Sequence, residues 1–165
     1  MGTDRAIIQT PVGPLGIETE GGAVVRIWFA RGERDAEVRP APPGSLLADA
    51  VREVGEYFRG ERRAFTLPVR RPARATAFQR RLWDALEGIP FAETRTYGDL
   101  ARGLGTSPRA VGGACARNDL PLVIPCHRVV AKSGLGGFSG DWETGLARDV
   151  KAALLEHEAR VAASA

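Results

Sequence analysis

Prolines and arginines interrupt the hydrophobic pattern of the chain in the stretch LPVRRPARAT, residues 67–76. Before it, short and partly alternating apolar runs are separated by Pro-Val-Gly-Pro and Gly-Gly, which is typical of strands joined by turns. After it, apolar residues recur at the spacing of a helix. Because clusters of this composition break regular elements, the sequence predicts two domains, residues 1–70 and 71–165.

The first domain is predicted to be a small α/β domain with an antiparallel sheet. The runs RAIIQT, GPLGIETE and AVVRIWFA give its strands, and Ser45 is placed to cap a helix with the sequence LLADAVREVGEYF. The second domain is predicted to be mostly helical. It begins with a helix capped by Thr76 and ends with the amphipathic helix VKAALLEHEARVAA. One face of its first helix carries the apolar residues Phe78, Leu82, Trp83 and Leu86.

Two short helical segments, TYGDLARGLG and RAVGGACARN, are joined by the turn TSP. This pattern is typical of a helix-turn-helix. Gly112 and Gly113 lie inside the second helix, where each costs about 1 kcal/mol relative to alanine. Together with Ala110 and Ala114 they allow another surface to approach closely. That surface is either a neighbouring helix or a nucleic-acid groove. In the second case Arg109, at the start of the helix, would reach into the groove.

The basic residues favour a nucleic-acid partner without requiring one. The net charge is +3, and of the 23 basic residues only Lys132 and Lys151 are lysines. The planar, always charged guanidinium of arginine suits phosphate recognition. A GC-rich genome with ordinary surface charge explains the same composition.

Cysteine usage and hydropathy predict a cytoplasmic protein in a reducing compartment. Two cysteines do not make a disulfide framework, and the first residues do not have the pattern of a signal peptide. No apolar stretch approaches the roughly 20 residues needed to cross a membrane, so we expect no membrane partner.

Cysteine and histidine stand side by side in LPLVIPCHRVVAKSG, residues 120–134. We expect Cys126 to lie at the end of a buried strand, followed by the positive Arg128, which favours the nucleophilic thiolate. Neighbours on a strand point to opposite faces, so His127 is expected to act through a water. The alternative is a buried cysteine beside a core histidine, and an inert core position is the favoured interpretation of Cys115.

An acid that orients His127 would complete a Cys–His–acid relay. The sequence alone leaves Glu158, Asp119 and Asp141 open for this role. Two cysteines and two histidines show no zinc spacing, so no metal site is predicted.

The segment from Phe78 to Glu158 resembles the O6-alkylguanine-DNA alkyltransferase family. The resemblance is carried by RAVGGA, Asn118, PCHRV, the later GGFSG, and Lys151 with LLEHE. It implies a ribonuclease-H-like first domain and a winged-helix-like second domain. It also implies DNA repair by irreversible, single-turnover transfer of an alkyl group from O6-alkylguanine, or from O4-alkylthymine, without a cofactor. The chain lacks the N-terminal cysteines and histidine that bind zinc in some members.

The resemblance also implies roles for individual residues. Cys126 would accept the alkyl group, and His127, held by Glu158, would deprotonate it. Asn118 would fix the turn after the recognition helix, and Tyr97 would donate its hydroxyl to the departing guanine. Pocket residues would be Tyr97, Cys115, Val129 and Ser139, and Lys151 matches a family lysine.

The implied partner is double-stranded DNA containing alkylated guanine, bound through the minor groove by a monomer. A base inside a duplex must be rotated out before a thiolate reaches it. Arg109 would fill the gap in the stack, and the contact surface would comprise Arg109, Ala110, Gly112, Gly113 and Ala114.

Three other functions are considered beside alkyl transfer. Alkyltransferase-like proteins bind damaged guanine without transfer, but they carry tryptophan where this chain has Cys126. A DNA-binding regulator with a sensor cysteine explains the helix-turn-helix but leaves the Cys-His-Arg motif and distant Glu158 without a purpose. A thiol hydrolase explains cysteine and histidine but not the glycine-rich helix, and no oxyanion hole is evident.

Overall fold

A computed structural model describes residues 2–30, 40–136 and 146–165, with side chains of the last helix described from Asp149 onward. The contacts divide the chain into two compact units, Met1–Ala73 and Arg74–Ala165. Each unit has its own apolar core. Among the described residues, no helix combines the length and the apolar character that a membrane-spanning helix requires.

The first unit is a three-stranded antiparallel sheet with one helix packed on it. Strands β1 (Thr3–Thr10), β2 (Gly13–Glu20) and β3 (Ala23–Phe29) are neighbours in that order. The small antiparallel sheet predicted from the sequence is therefore confirmed. On β2, a Cβ at Gly16 would lie 2.2 Å from the ring of Trp28, which stands opposite it on β3. Glycine is required there because the indole occupies the space of a side chain.

Helix α1 (Leu46–Phe58) begins as predicted, because the side chain of Ser45 accepts a hydrogen bond from the Ala48 N–H at 3.1 Å. It contacts all three strands. Its carboxylate at Glu53 is buried and accepts hydrogen bonds from the backbone N–H and the hydroxyl of Thr66. These bonds attach the segment that follows the helix back onto the unit.

The second unit is mostly helical, as predicted. Helix α2 (Ala77–Glu87) begins with a reciprocal capping box between Thr76 and Gln79. Of the four apolar residues predicted on one face, Leu82, Trp83 and Leu86 are buried and Phe78 is half-buried. The remaining helices are α3 (Tyr97–Leu104), α4 (Pro108–Cys115) and α5 (Leu146–Ala163).

The two predicted helices of the helix-turn-helix pattern, α3 and α4, both form and pack on each other. Helix α3 ends at Gly105, whose φ of 66° is in the left-handed region that favours glycine. Ser107 then caps α4 by accepting from the Ala110 N–H at 3.2 Å, with Pro108 in the first turn. A tight connection thus sets α4 against α3.

The prediction that Cys126 ends a buried strand is wrong. Residues 120–125 form turns, and Cys126–Arg128 is a single 3₁₀ turn. Only β5 (Val129–Val130) is extended, pairing in parallel with β4 (Arg95–Thr96). Proline has no N–H for a sheet ladder, and both Pro121 and Pro125 lie in the run. The apolar side chains are buried, but the backbone cannot form a continuous strand.

Candidate active site

Cys126 lies at the start of the 3₁₀ turn with a side chain that is almost completely buried, the residue being 4% exposed. Burial raises the pKa of its thiol because the thiolate loses hydration. Three features work in the other direction: a hydrogen bond from Asn118, the charge of Lys151 and the nearby backbone N–H groups of the 3₁₀ turn. The site therefore holds a neutral thiol at rest and supports the anion once the proton leaves.

Asn118 links the end of α4 to this cysteine. Its Nδ2 donates to the Ile124 carbonyl at 2.8 Å and lies 3.3 Å from the Cys126 sulfur, and its Oδ1 accepts from the Leu120 N–H at 2.9 Å. One amide side chain thus satisfies backbone groups that the irregular segment leaves unpaired and places a donor at the sulfur. The family resemblance implied a turn-fixing role for Asn118 but not its contact with sulfur.

Glu158 is the acid that meets His127. His127 Nε2 and Glu158 Oε1 are 2.7 Å apart, and both side chains are fully buried. Of the other two acids considered, Asp119 pairs with Arg74 at 2.7 Å, and Asp141 lies outside the described residues. A carboxylate only accepts hydrogen bonds, so Nε2 carries the imidazole proton.

The free lone pair of His127 is therefore on Nδ1. Burial lowers the pKa of His127 against the opposing effect of Glu158, so the imidazole is neutral near pH 7. Nδ1 is buried and has no hydrogen-bond partner among the described residues. A neutral imidazole with this tautomer is a proton acceptor at Nδ1. The contact between the Nδ1 atom and the sulfur, direct or through water, stays a prediction.

The sequence predicted that Arg128 favours the Cys126 thiolate, whereas the structure directs its guanidinium at Glu158, a contact that the sequence reasoning missed. Its Nε donates to Glu158 Oε2 at 3.0 Å, its Nη2 to Oε1 at 2.9 Å and its Nη1 to the Ile89 carbonyl at 2.7 Å. The Ala92 N–H donates to Oε2 at 3.0 Å. Hydrogen bonds from His127 and Arg128 hold the pKa of Glu158 well below its usual range, despite burial. The position of Arg128 next to His127 was the signal from which its place in this cluster could have been predicted. Nothing in the sequence indicates that Ala92 belongs to it.

Tyr97 begins α3 and meets Lys151 of α5. Lys151 Nζ lies 3.3 Å from the Tyr97 hydroxyl oxygen and 5.4 Å from the ring centroid. A Cβ at Gly136 would lie 2.7 Å from Tyr97 Cε2, so glycine leaves the space that the ring occupies. Burial lowers the pKa of Lys151 from 10.5 to about 8 and raises that of Tyr97. The phenol thus keeps its proton across the physiological range.

Of the other three residues predicted to line the substrate pocket, two are buried and one lies outside the described part of the chain. Val129 is fully buried and Cys115, at the end of α4, is 8% exposed. Burial and the proximity of Cys126 raise the pKa of Cys115, which makes it a poor nucleophile. Ser139 lies outside the described residues.

Among the residues that the structure describes, no group of three or more histidine, cysteine or acidic side chains is arranged to hold a metal ion.

Helix α4 presents Arg109 and Gly113 on its exposed side, with Arg117 exposed just beyond its end. Ala110 and Gly112 are partly exposed, and Ala114 is buried against the unit. Within the described parts of the chain, neither arginine side chain forms a hydrogen bond or an ion pair. Other arginines are paired with carboxylates, namely Arg59, Arg62, Arg70, Arg74, Arg95 and Arg102. Among the described residues, the exposed side of α4 is therefore a place where two arginines carry uncompensated positive charge.

Comparison with known proteins gives a consistent result. The family model described as 6-O-methylguanine DNA methyltransferase, DNA binding domain, matches residues 77–160. The chain is similar to the constitutive methylated-DNA–protein-cysteine methyltransferase of Bacillus subtilis, with 38% identity over 91% of this chain and 92% of that protein. It is 35% identical to the methylated-DNA–protein-cysteine methyltransferase of Methanosarcina acetivorans, over 93% of this chain and 96% of the relative.

Two crystal structures from Mycobacterium tuberculosis resemble the whole chain. The O6-methylguanine methyltransferase superposes with a TM-score of 0.79 and 33% identity, covering 96% of this chain and 94% of that one. OGT in complex with DNA superposes with a TM-score of 0.77 and 33% identity, covering 95% and 93%. The similarity extends over both units of the chain.

Proposed function

The chain belongs to the methylated-DNA–protein-cysteine methyltransferase family and repairs DNA by transferring an alkyl group to a cysteine of the protein, and we propose that Cys126 is this cysteine. The observation that carries the proposal is the buried pair of His127 and Glu158 next to it, 2.7 Å apart, which leaves His127 Nδ1 able to take a proton. The direct test is the mass of the Cys126 peptide after reaction with alkylated duplex DNA, where one added alkyl group is expected.

The proposed substrate is O6-alkylguanine, with O4-alkylthymine as a second candidate. His127 takes the thiol proton, through a water, and the thiolate attacks the alkyl carbon. The S–C bond forms as the C–O6 bond breaks, and the guanine leaves with the bonding electrons and is then protonated. The sum is thiol plus O6-alkylguanine giving thioether plus guanine, so no cofactor is needed. Because the thioether is stable, each protein molecule reacts once.

In addition to the relay of His127 and Glu158, two side chains are proposed to lower the activation barrier of alkyl transfer. Asn118 donates to the sulfur at 3.3 Å and so favours the anion that attacks. Tyr97, whose pKa is raised by burial, retains an O–H that can donate to the guanine as negative charge develops on it. Val129 and Cys115 would line the pocket, and Ser139 is proposed for the same surface.

The protein binds DNA, and we propose that α4 enters the minor groove of the duplex. Its exposed side combines small residues, which permit close approach, with the uncompensated charges of Arg109 and Arg117. Arg109 would fill the stack when the damaged nucleotide rotates out. We further propose a ribonuclease-H-like fold for the first unit, a winged-helix-like fold for the second, and a monomer that acts in the cytoplasm.

Arg109→Ala is expected to slow repair in duplex DNA by about 30-fold or more, because unstacking costs a few kcal/mol that the inserted side chain offsets. The rate with the free base O6-benzylguanine should change less than about 2-fold, since this substrate needs no rotation out of a duplex. Single-turnover rates on both substrates measure the difference.

The matched control for this experiment is Arg102→Ala, which removes an exposed arginine that is paired with Asp99 on α3. Its rates on both substrates should stay within about 2-fold of the parent protein. Equal losses for Arg109→Ala on duplex and free base would exclude a role in flipping.

Arg117→Ala is expected to weaken duplex binding uniformly across sequences. Each phosphate contact releases counterions, so the slope of log K against log salt should become shallower by about 0.9. Fluorescence anisotropy of a labelled duplex at several salt concentrations measures it. An unchanged slope would mean that the exposed end of α4 does not lie against the DNA backbone.

A further inference from the structure

The connection between α2 and β4 contacts both members of the buried ion pair at the site. The Ile89 carbonyl accepts a hydrogen bond from Arg128 Nη1 at 2.7 Å, and the centroid of the Phe91 ring lies 5.6 Å from the guanidinium carbon. At that distance a cation and an aromatic ring attract each other. The next residue, Ala92, donates its N–H to Glu158 Oε2 at 3.0 Å. One short segment thus holds the arginine and the carboxylate together.

This connection contains a β-turn whose third residue is strained. The Glu93 N–H donates to the Pro90 carbonyl at 3.1 Å, which closes the turn. Ala92, the third of its four residues, has a φ of 63°, whereas φ of Phe91 is negative. These signs of φ define a type II turn, which favours glycine at the third position. Alanine is strained there because its Cβ lies too close to the following carbonyl oxygen.

The hydrogen bond to Glu158 explains why this turn is not of type I. A type I turn has a negative φ at its third residue and would remove the strain at Ala92. The two types differ by a flip of the peptide unit between Phe91 and Ala92, so a type I turn would direct the Ala92 N–H away from the carboxylate. Glu158 is fully buried, and a buried charge that loses a donor is destabilised. The bond to Glu158 therefore offsets the strain and selects the turn.

We propose that the turn of residues 90–93 is a positioning element of the proton relay, in which Ala92 holds Glu158 so that one carboxylate oxygen faces His127. This inference rests on the proposed function, in which His127 takes the thiol proton. Glu158 Oε2 accepts from the Ala92 N–H and from Arg128 Nε, at 3.0 Å each. The other oxygen, Oε1, lies 2.7 Å from His127 Nε2. Because Ala92 belongs neither to the 3₁₀ turn nor to α5, its donor fixes the carboxylate from a third direction.

Ala92 is exposed, so its side chain can be changed without disturbing the core. Ala92→Val places a branched Cβ in the left-handed region, where such residues are rarely found, and so favours a turn whose N–H points away from Glu158. Ala92→Gly adopts the same backbone without strain. The melting temperature should rise by about 2 °C or more in Ala92→Gly and fall in Ala92→Val. A lower melting temperature for Ala92→Gly would contradict the strain at this residue.

A double-mutant cycle of Ala92→Val and His127→Gln separates positioning from a merely structural role, with single-turnover transfer from O6-benzylguanine at pH 7. Ala92→Val should slow transfer by about 10-fold, and Ala92→Gly should transfer at least about 5-fold faster than Ala92→Val. In the His127→Gln background, Ala92→Val should add less than about 3-fold, because the imidazole that Glu158 orients is gone. An equal factor in both backgrounds would overturn the inference. Thr94→Val, the control, adds a branched residue at an exposed neighbour with negative φ and should stay within about 2-fold.

Amide hydrogen exchange tests the turn without any transfer reaction. Although Ala92 is exposed, its N–H is engaged with a buried carboxylate, so in the parent protein it should exchange at least about 100-fold more slowly than in an unfolded chain. In Ala92→Val the amide at this position should lose that protection. If the parent protein transfers nothing, the proposed function fails. If it transfers normally but the Ala92 amide is unprotected, or the two factors of the cycle multiply, only the role of the turn fails.

Discussion

We expect Cys126→Ser to abolish alkyl transfer, whereas the parent protein should take up one methyl group per molecule from a duplex containing O6-methylguanine. A serine hydroxyl is a weak nucleophile at its ordinary pKa, and one histidine cannot make it comparable to a thiolate in displacement at carbon. The rate should fall by at least about 1000-fold, the scale seen when an essential nucleophile is removed. Digestion of the reacted protein and weighing of its peptides locates the methyl group and counts it.

The matched control is Cys115→Ala, which removes the other cysteine. Because burial raises the pKa of Cys115, this variant should still acquire one methyl group on the Cys126 peptide. A methyl group found on Cys115 would contradict the assignment. Tight binding of the damaged duplex without transfer by the parent protein would indicate a damage-binding protein instead.

Glu158→Gln is expected to destabilise the protein by about 3 kcal/mol. The substitution keeps the shape of the side chain but leaves the Arg128 guanidinium, which is only 7% exposed, without its carboxylate. Breaking one side of a buried ion pair is costly because the remaining charge is neither hydrated nor compensated. Urea unfolding measures the change. Glu156→Gln, an exposed position on the same helix, should stay within about 0.5 kcal/mol.

The same variant should alter the response to acid. Since the pKa of Glu158 is lowered in the folded protein, its contribution to stability is complete above its ordinary pKa of 4.5. That contribution is lost as the pH falls toward the lowered value, because the unfolded chain then binds the extra proton. The stability difference between parent and variant should therefore shrink below about pH 4.5. A difference independent of pH would mean that the carboxylate charge is not what stabilises this cluster.

Glu158→Gln should also slow transfer by roughly 100-fold to 10,000-fold. The carboxylate accepts from His127 Nε2 and thereby leaves Nδ1 unprotonated. The amide of glutamine can present an N–H to Nε2 instead, which favours the tautomer whose Nδ1 already carries a proton. An imidazole in that state cannot accept the thiol proton at Nδ1. Single-turnover rates with O6-benzylguanine, measured where both proteins are folded, separate this effect from the loss of stability.

Local signals were sufficient for much of the fold. Ser45 and Thr76 cap the helices predicted after them, and Gly105 ends α3, because side-chain caps and left-handed glycines act within a few residues. The strand predicted before Cys126 does not form, since two prolines remove ladder donors and Asn118 satisfies the backbone there in another way. The apolar character of the run before Cys126 correctly predicted that most of its side chains are buried, but it did not predict the conformation of its backbone.

The residues of the site were predictable from the sequence where their side chains have reactive or titratable groups that few other residues share. The sequence identified Cys126 and His127 as neighbours and kept Glu158 among three acids, but the choice of acid depends on how α5 returns to the 3₁₀ turn. Arg128 has the same charge as twenty other arginines in the chain, so its charge alone could not predict that it binds Glu158. Ala92 contributes only its backbone N–H, which every residue except proline possesses.

The position of α5 in the chain has a consequence for the synthesis of the protein. Cys126 leaves the ribosome before Lys151 and Glu158, which both belong to α5. Domains form as units during translation, and until α5 docks, the thiol has neither its nearby ammonium nor an oriented imidazole. For a protein proposed to react once, this order would leave the nascent chain without the proposed proton relay until its last helix is made. The single reaction becomes available only after the molecule that will perform it has folded.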